Sequence, residues 1–157
     1  MKNIVVAGNI IDDAQRILKV SEYIKNKYPE FSVLNGINEL RQILLQAESN
    51  WMDISFEYIL NSIEMADAVV LVSGGDNCTT SWVLGYAFSL GIPVIVATAR
   101  DEDFPLSVLG IKSFHAHIRS WQELEEYDFN EMPANFFRGQ LIQMQVEGKV
   151  IPLFKRA

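Results

Sequence analysis

Residues 68–72, Ala-Val-Val-Leu-Val, form an apolar run with no polar residue to break it. A strand with one wet face alternates with a period of two. A run without alternation predicts a strand covered on both faces, as in a parallel sheet flanked by helices. Asn3–Ala7 and Pro93–Thr98 have the same character, and the first ends at the turn-forming pair Gly8-Asn9.

The segments between these runs carry helical spacing. Ala14, Ile17, Leu18 and Ile24 make one apolar stripe, with Asp12 and Asp13 placed to cap it and Asn26, Lys27 and Pro29 closing it. Phe31–Leu34 reads as a weaker strand. Leu40, Ile43, Leu44 and Ala47 mark a second helix, and Met52–Met65 a third with Ile59, Ile63 and Ala66 inward. A fourth helix over Thr79–Leu90 ends at Gly91, a suitable C′ residue, and Pro93 prevents its continuation. Phe114–Ile118 predicts a last short strand. Ser120 caps Trp121–Tyr127, with Glu123 completing a capping-box pattern. Pro133–Val146 is helical in pattern, and Lys149–Phe154 is a terminal strand or docking segment.

Strand and helix in alternation imply an α/β protein, with a central parallel sheet and helices on both faces, because right-handed crossovers lay each helix on the sheet. A chain of 157 residues suits a single domain, 1–157, with one core. The net charge of −7 argues against nonspecific nucleic-acid binding, since a phosphate backbone would be repelled. One cysteine excludes an internal disulfide and any multi-thiolate metal site. No stretch approaches a membrane span or a signal peptide, so a soluble cytoplasmic protein is expected. No metal or cofactor is implied. His115 and His117 would share one strand face, but exposed or partner-contacting histidines explain that spacing as well.

Ligands of parallel sheets sit beyond the carboxyl ends of the strands. Here those ends are Gly8-Asn9-Ile10, the stretch Ser73–Thr80 and Thr98–Asp103, the last running into an acidic loop, Arg100–Pro105. Thr79, Thr80 and Ser81 open a helix whose free N–H groups favour an anion, although N-capping alone accounts for them too. Gly8 and Gly75 permit close backbone approach, or serve only as turns. Asn9 is placed to bond a sugar hydroxyl or a base edge. Trp82 and Tyr86, four residues apart, suit the core or a subunit contact better than a stacking platform.

These segments resemble the nucleoside 2-deoxyribosyltransferase family, a flavodoxin-like group that cleaves or exchanges the N-glycosidic bond of nucleosides. IVVAGNIIDDAQ is similar to the family's opening strand and sugar-side loop, and EMADAVVLV to its Ala-Asp before a hydrophobic strand. TTSWVLGYAFSLGIPVIV is similar to its Gly-Thr-x-x-Glu-x-Gly-x-Ala helix and the Gly-Lys-Pro-Val after it. SFHAHIRSWQELEEYDFNEMP resembles a C-terminal family segment. The resemblance spans residues 2–133. It implies a flavodoxin-like three-layer sandwich that binds a nucleoside, a nucleotide or a related metabolite.

In that family a glutamate attacks the anomeric carbon, as the nucleophile of a retaining glycosidase does. Matching Gly85-Tyr86-Ala87 puts Val83 at that position. A family aspartate eight residues before Asp67 becomes Ile59, and the family glycine before the threonine becomes Thr79. The loop that holds another aspartate is shortened, leaving Asp76 and Asn77 nearest. The resemblance therefore implies a ligand site at Gly8, Asn9, Ile10, Gly75, Asp76, Asn77, Thr79, Thr80 and Val83 that lacks the glutamate step. Two alternatives stand beside it. One is an active transferase or N-glycoside hydrolase with a rearranged carboxylate, Asp76, Glu57 or Asp53; Glu57 points about 200° from Ile59 on an ideal helix. Cys78 near a helix start is a further nucleophile candidate, with an inert packed thiol the plainer reading. The other alternative is a non-catalytic partner subunit. Family sites are completed by a neighbouring subunit, so assembly with itself or a homologue is expected, and Phe136, Phe137, Leu141, Ile142 and Met144 offer an apolar face.

Overall fold

Strand and helix alternate from the start of the chain: β1 (Asn3–Gly8), α1 (Ala14–Lys27), β2 (Ser32–Leu34), α2 (Ile37–Gln46), α3 (Trp51–Glu64), β3 (Ala68–Ser73), α4 (Cys78–Ser89), β4 (Val94–Thr98), β5 (His117–Ile118) and α5 (Trp121–Glu126). These elements come from a computed structural model that describes residues 2–46, 51–73, 78–98 and 116–131. The strands make one sheet in the order β2-β1-β3-β4-β5, with every neighbouring pair parallel. That order is the flavodoxin-like one, and it reverses between β1 and β3. The expected α/β sandwich is borne out. The acidic loop, His115 and the segments expected over 133–146 and 149–154 lie outside the described residues.

The uninterrupted runs divide between two cores, as two-sided burial requires. Ile4, Val6, Val70 and Val72 face α1 and α5, where they meet Ile17, Ile24, Leu124 and Phe129. Val5, Val69, Leu71, Val94 and Val96 face α3 and α4, against Ile63, Val83, Leu84 and Ala87. At roughly 1.5–3 kcal/mol for each buried large aliphatic side chain, this double layer dominates the folding energy. A single polar residue within 68–72 would have no wet side to face.

The helix ends follow the sequence with two differences. Gly91 takes φ 69° beyond α4, as a C′ glycine does. Asp13 stands at the N-cap of α1 but makes no side-chain cap bond. Its buried carboxylate turns to Arg16 at 3.5 Å, while Asp12 accepts from the Asn9 amide at 2.8 Å. At α5 the Ser120 hydroxyl accepts from the Glu123 N–H at 3.1 Å. Glu123 reaches back one residue further than a capping box requires, accepting from the Arg119 N–H at 2.6 Å.

Candidate functional site

Beside the point where strand order reverses, a cavity of about 40 Å³ opens between β1, the β2–α2 turn, α3 and α4. Its floor is the end of β1, Val5 to Gly8, with Ile10 from the following loop. Ile59 and Ile63 of α3 and Val83 of α4 form an apolar wall. Val83 is 1% exposed, packed in the α3–α4 core, and Ile59 is half-buried against the same cluster. The two positions where the family resemblance implied carboxylates thus share one lining.

The polar side chains of the described lining are Asn35, Tyr58 and Ser62. Gly36 lies at φ 62°, and a Cβ there would stand 2.7 Å from Cε1 of Tyr58. The turn therefore closes directly on the phenol ring, which only a glycine permits. Asn35 Oδ1 accepts from the Ile37 N–H at 3.1 Å and so starts α2. Ser62 Oγ donates to the Tyr58 carbonyl at 2.7 Å, one helical turn back. Burial pushes the Tyr58 hydroxyl pKa up, the negative charge of Glu39 adds to this, and a hydrogen bond involving Ser62 works against it. Tyr58 is accordingly a neutral hydrogen-bond donor at physiological pH.

The residues singled out in the sequence divide among several places. Gly8, Ile10 and Val83 line the cavity together. Gly8 has a structural task as well, since a Cβ on it would overlap the Val72 carbonyl oxygen. The Asn9 side chain holds its own loop: Oδ1 accepts from the Ile11 N–H at 2.9 Å and Nδ2 donates to Asp12. Among the described residues the second N–H of that amide has no partner. Thr80 is buried in α4. Asp53 and Glu57 are exposed on α3 and do not line the cavity. Gly75, Asp76 and Asn77 lie outside the described residues, as do the side chains of Cys78 and Thr79. Trp82 and Tyr86 stack at 5.9 Å and Phe56 packs on Trp82 at 4.8 Å, a row apart from the cavity lining.

Sequence reasoning missed Asn35, Gly36, Tyr58 and Ser62. The signal for the first two was present: an Asn-Gly pair directly after a strand marks a carboxyl-end loop, and that loop was overlooked because the strand before it is weak. Tyr58 and Ser62 flank Ile59 and Ile63 on the inward helix face. Among the described residues no group of three or more His, Cys, Asp or Glu could hold a metal ion, and no helix is long and apolar enough to cross a membrane.

The sheet order defines the class, a flavodoxin-like α/β protein, with a cavity beside the reversal of its strand order. Solved structures place it more closely. The chain is similar to a 2-deoxyribosyltransferase from the psychrotolerant bacterium Bacillus psychrosaccharolyticus, with a TM-score of 0.66 and 26% identity over 84% of this chain and 96% of that one. It shares the fold of a CMP N-glycosidase from Clostridium botulinum, with a TM-score of 0.59 and 18% identity over 80% of this chain and 96% of that one. No family model matches the sequence, and no curated protein does either. The resemblance to the nucleoside 2-deoxyribosyltransferase family is borne out by these neighbours.

Proposed function

We propose that this chain binds a nucleoside, a nucleotide or a related metabolite at the cavity beside β1, without the glycosyl transfer that uses a glutamate nucleophile. The observation that carries the reading is the shared lining of Val83 and Ile59, with no Asp or Glu among the described lining residues. Glycosyl transfer by the covalent route needs a carboxylate oxygen close to the anomeric carbon, about 3–3.5 Å away in a reactive pose. Valine and isoleucine present only methyl and methylene groups, which neither attack nor offset the positive charge of an oxocarbenium-like transition state. Binding needs neither. An apolar wall with a few directed polar groups is the common pattern of a small-molecule site, and here Tyr58, Ser62 and Asn35 supply those groups. The enclosed 40 Å³ takes one edge of such a ligand, with the remainder lying across the open mouth. The nature of the structural neighbours, a nucleoside transferase and a nucleotide glycosidase, supports the choice of ligand.

Calorimetry against a panel of nucleosides and nucleotides, with chromatography of the same mixtures, tests this reading. Heat with at least one member and no free base is expected. Absence of heat at millimolar concentration overturns it. Release of free base that Asp76→Asn abolishes would establish a rearranged carboxylate site instead.

The same reading includes self-association in the cytoplasm. Phe56 is 48% exposed and packs on Trp82, which stacks on Tyr86, and an aromatic face of this kind suits a subunit contact. A solution mass that is a multiple of 17.8 kDa is expected from light scattering, and a monomer overturns it.

A further inference from the structure

The Ser55 hydroxyl oxygen is buried and has no hydrogen-bond partner among the described residues. Such a group gives up its bonds to water and gains none in return, so native structures hold few of them. Three other helical serines show the common remedy. Ser21 donates to the Ile17 carbonyl, Ser62 to that of Tyr58 and Ser89 to that of Tyr86, each at 2.7 Å. Ser55 makes no such bond. Around an ideal helix Tyr58, Ile59 and Ser62 all lie within about 60° of Ser55, and these three line the cavity beside β1. Ser55 therefore extends the cavity-facing stripe of α3 by one turn. The Met65 carbonyl, just past α3, accepts from the side-chain amide of Asn3, the first residue of β1, while Tyr58 meets Gly36 beyond the end of β2. The helix thus runs from the carboxyl end of the sheet towards its amino end, and Ser55 stands on the side where such folds place ligands. We propose that Ser55 is a ligand contact of this cavity, its hydroxyl bonded to a hydroxyl of the ligand's sugar.

Size and chemistry select the sugar. A buried water needs about 10–15 Å³ of cavity. The 40 Å³ beside β1 therefore admits a few non-hydrogen atoms, enough for a hydroxyl or hydroxymethyl edge and too little for a base. No charged side chain lines it among the described residues, so a neutral end of the ligand is the one that enters. A serine hydroxyl both donates and accepts, and a sugar hydroxyl does the same, so each can satisfy the other in either direction. The Ser62 proton is committed to the Tyr58 carbonyl, whereas Ser55 keeps both capacities. A polar group already desolvated in the free protein has no water to lose when the ligand arrives, and its bond to the ligand is correspondingly favourable. Ser55 has this role only if a nucleoside or nucleotide occupies the cavity, the reading on which it rests.

Ser55→Ala in the full chain removes the hydroxyl alone and is read in two ways. Without ligand, the variant is expected to melt at or above the temperature of the parent, because an unpaired buried oxygen is gone. With ligand, calorimetry compares variant and parent against nucleosides and nucleoside monophosphates of the common bases, and against analogues lacking one sugar hydroxyl. The variant is expected to bind the preferred compound about fivefold more weakly. For one of the hydroxyl-deficient analogues the two proteins are expected to bind alike, since the partner of Ser55 is then already missing. Equal binding of the preferred compound by variant and parent overturns the proposal. So does a loss that persists for every analogue, which would place the contact on the base or phosphate. A lower melting temperature of the free variant overturns it too, by showing that the hydroxyl is satisfied without ligand. Absence of heat with the parent is a separate outcome: it defeats the ligand reading itself, and the role of Ser55 falls with it.

Discussion

A Cβ on Gly8 would overlap the carbonyl oxygen of Val72, the residue it pairs with in the neighbouring strand. The contact is backbone on one side, so no rotamer change relieves it, and the Ile17 side chain closes the other side at 3.1 Å. Gly8→Ala therefore forces β1 away from β3. A loss of about 1–3 kcal/mol is expected, read from urea denaturation. Unchanged stability would show that the strands part easily there.

Val83→Glu places a carboxyl group in the cavity wall. Val83 is 1% exposed, so the new carboxylate is desolvated and its pKa rises. A group whose folded pKa is raised by burial is tolerated when protonated and costs stability once pH passes its unfolded value, near 4.3 for glutamate. The variant is expected to be less stable than the parent by on the order of 2–4 kcal/mol at neutral pH, with the deficit shrinking as pH falls towards 4. Denaturation at both pH values checks this, and an equal deficit at each would mean that the side chain escapes to water.

Burial is the larger reason for the raised Tyr58 pKa, and Glu39 is the second. Glu39→Gln is therefore expected to lower the Tyr58 titration without returning it to the ordinary phenol range. The folded pKa lies above the unfolded one, so the associated stability is complete below pH 10, the unfolded value, and is lost as pH rises through the folded pKa. Tyrosinate absorbance of the variant against the parent and Tyr58→Phe measures both effects. A full return to the normal range would make Glu39 the main cause.

Tyr28 ties the segment after α5 to the end of α1. Its hydroxyl donates to the Tyr127 carbonyl at 3.2 Å and accepts from the Phe129 N–H at 3.3 Å, with Phe129 fully buried. Tyr28→Phe keeps the ring stacked on Phe31 but leaves a buried N–H without its partner. A cost of about 1–3 kcal/mol is expected, together with faster amide exchange at Phe129. Unchanged exchange would show that water or a shifted backbone satisfies the group.

Most of the sheet was legible in the chain. The runs at β1, β3 and β4 are continuous because both faces are covered, and that burial leaves its mark on each strand separately. Ser32–Leu34 was faint for the converse reason: an edge strand with exposed residues has less to bury. Ser120 with Glu123, and Gly91, marked helix ends through local bonds and backbone angle alone. Asp13 misled because its type suits a cap, while the fold turns it towards Arg16.

By itself the sequence determined which segments would be buried strands and where the helices stop, and its family resemblance singled out Val83 and Ile59 as positions where carboxylates were expected. Only the tertiary structure decided that these two side chains share one cavity, that Gly36 closes on Tyr58, and that Arg16, Lys19 and Arg119 line a second cleft. The reason is physical. Period and capping are written over a few neighbouring residues, whereas the strand order that brings distant residues together arises from the packing of whole elements on the sheet.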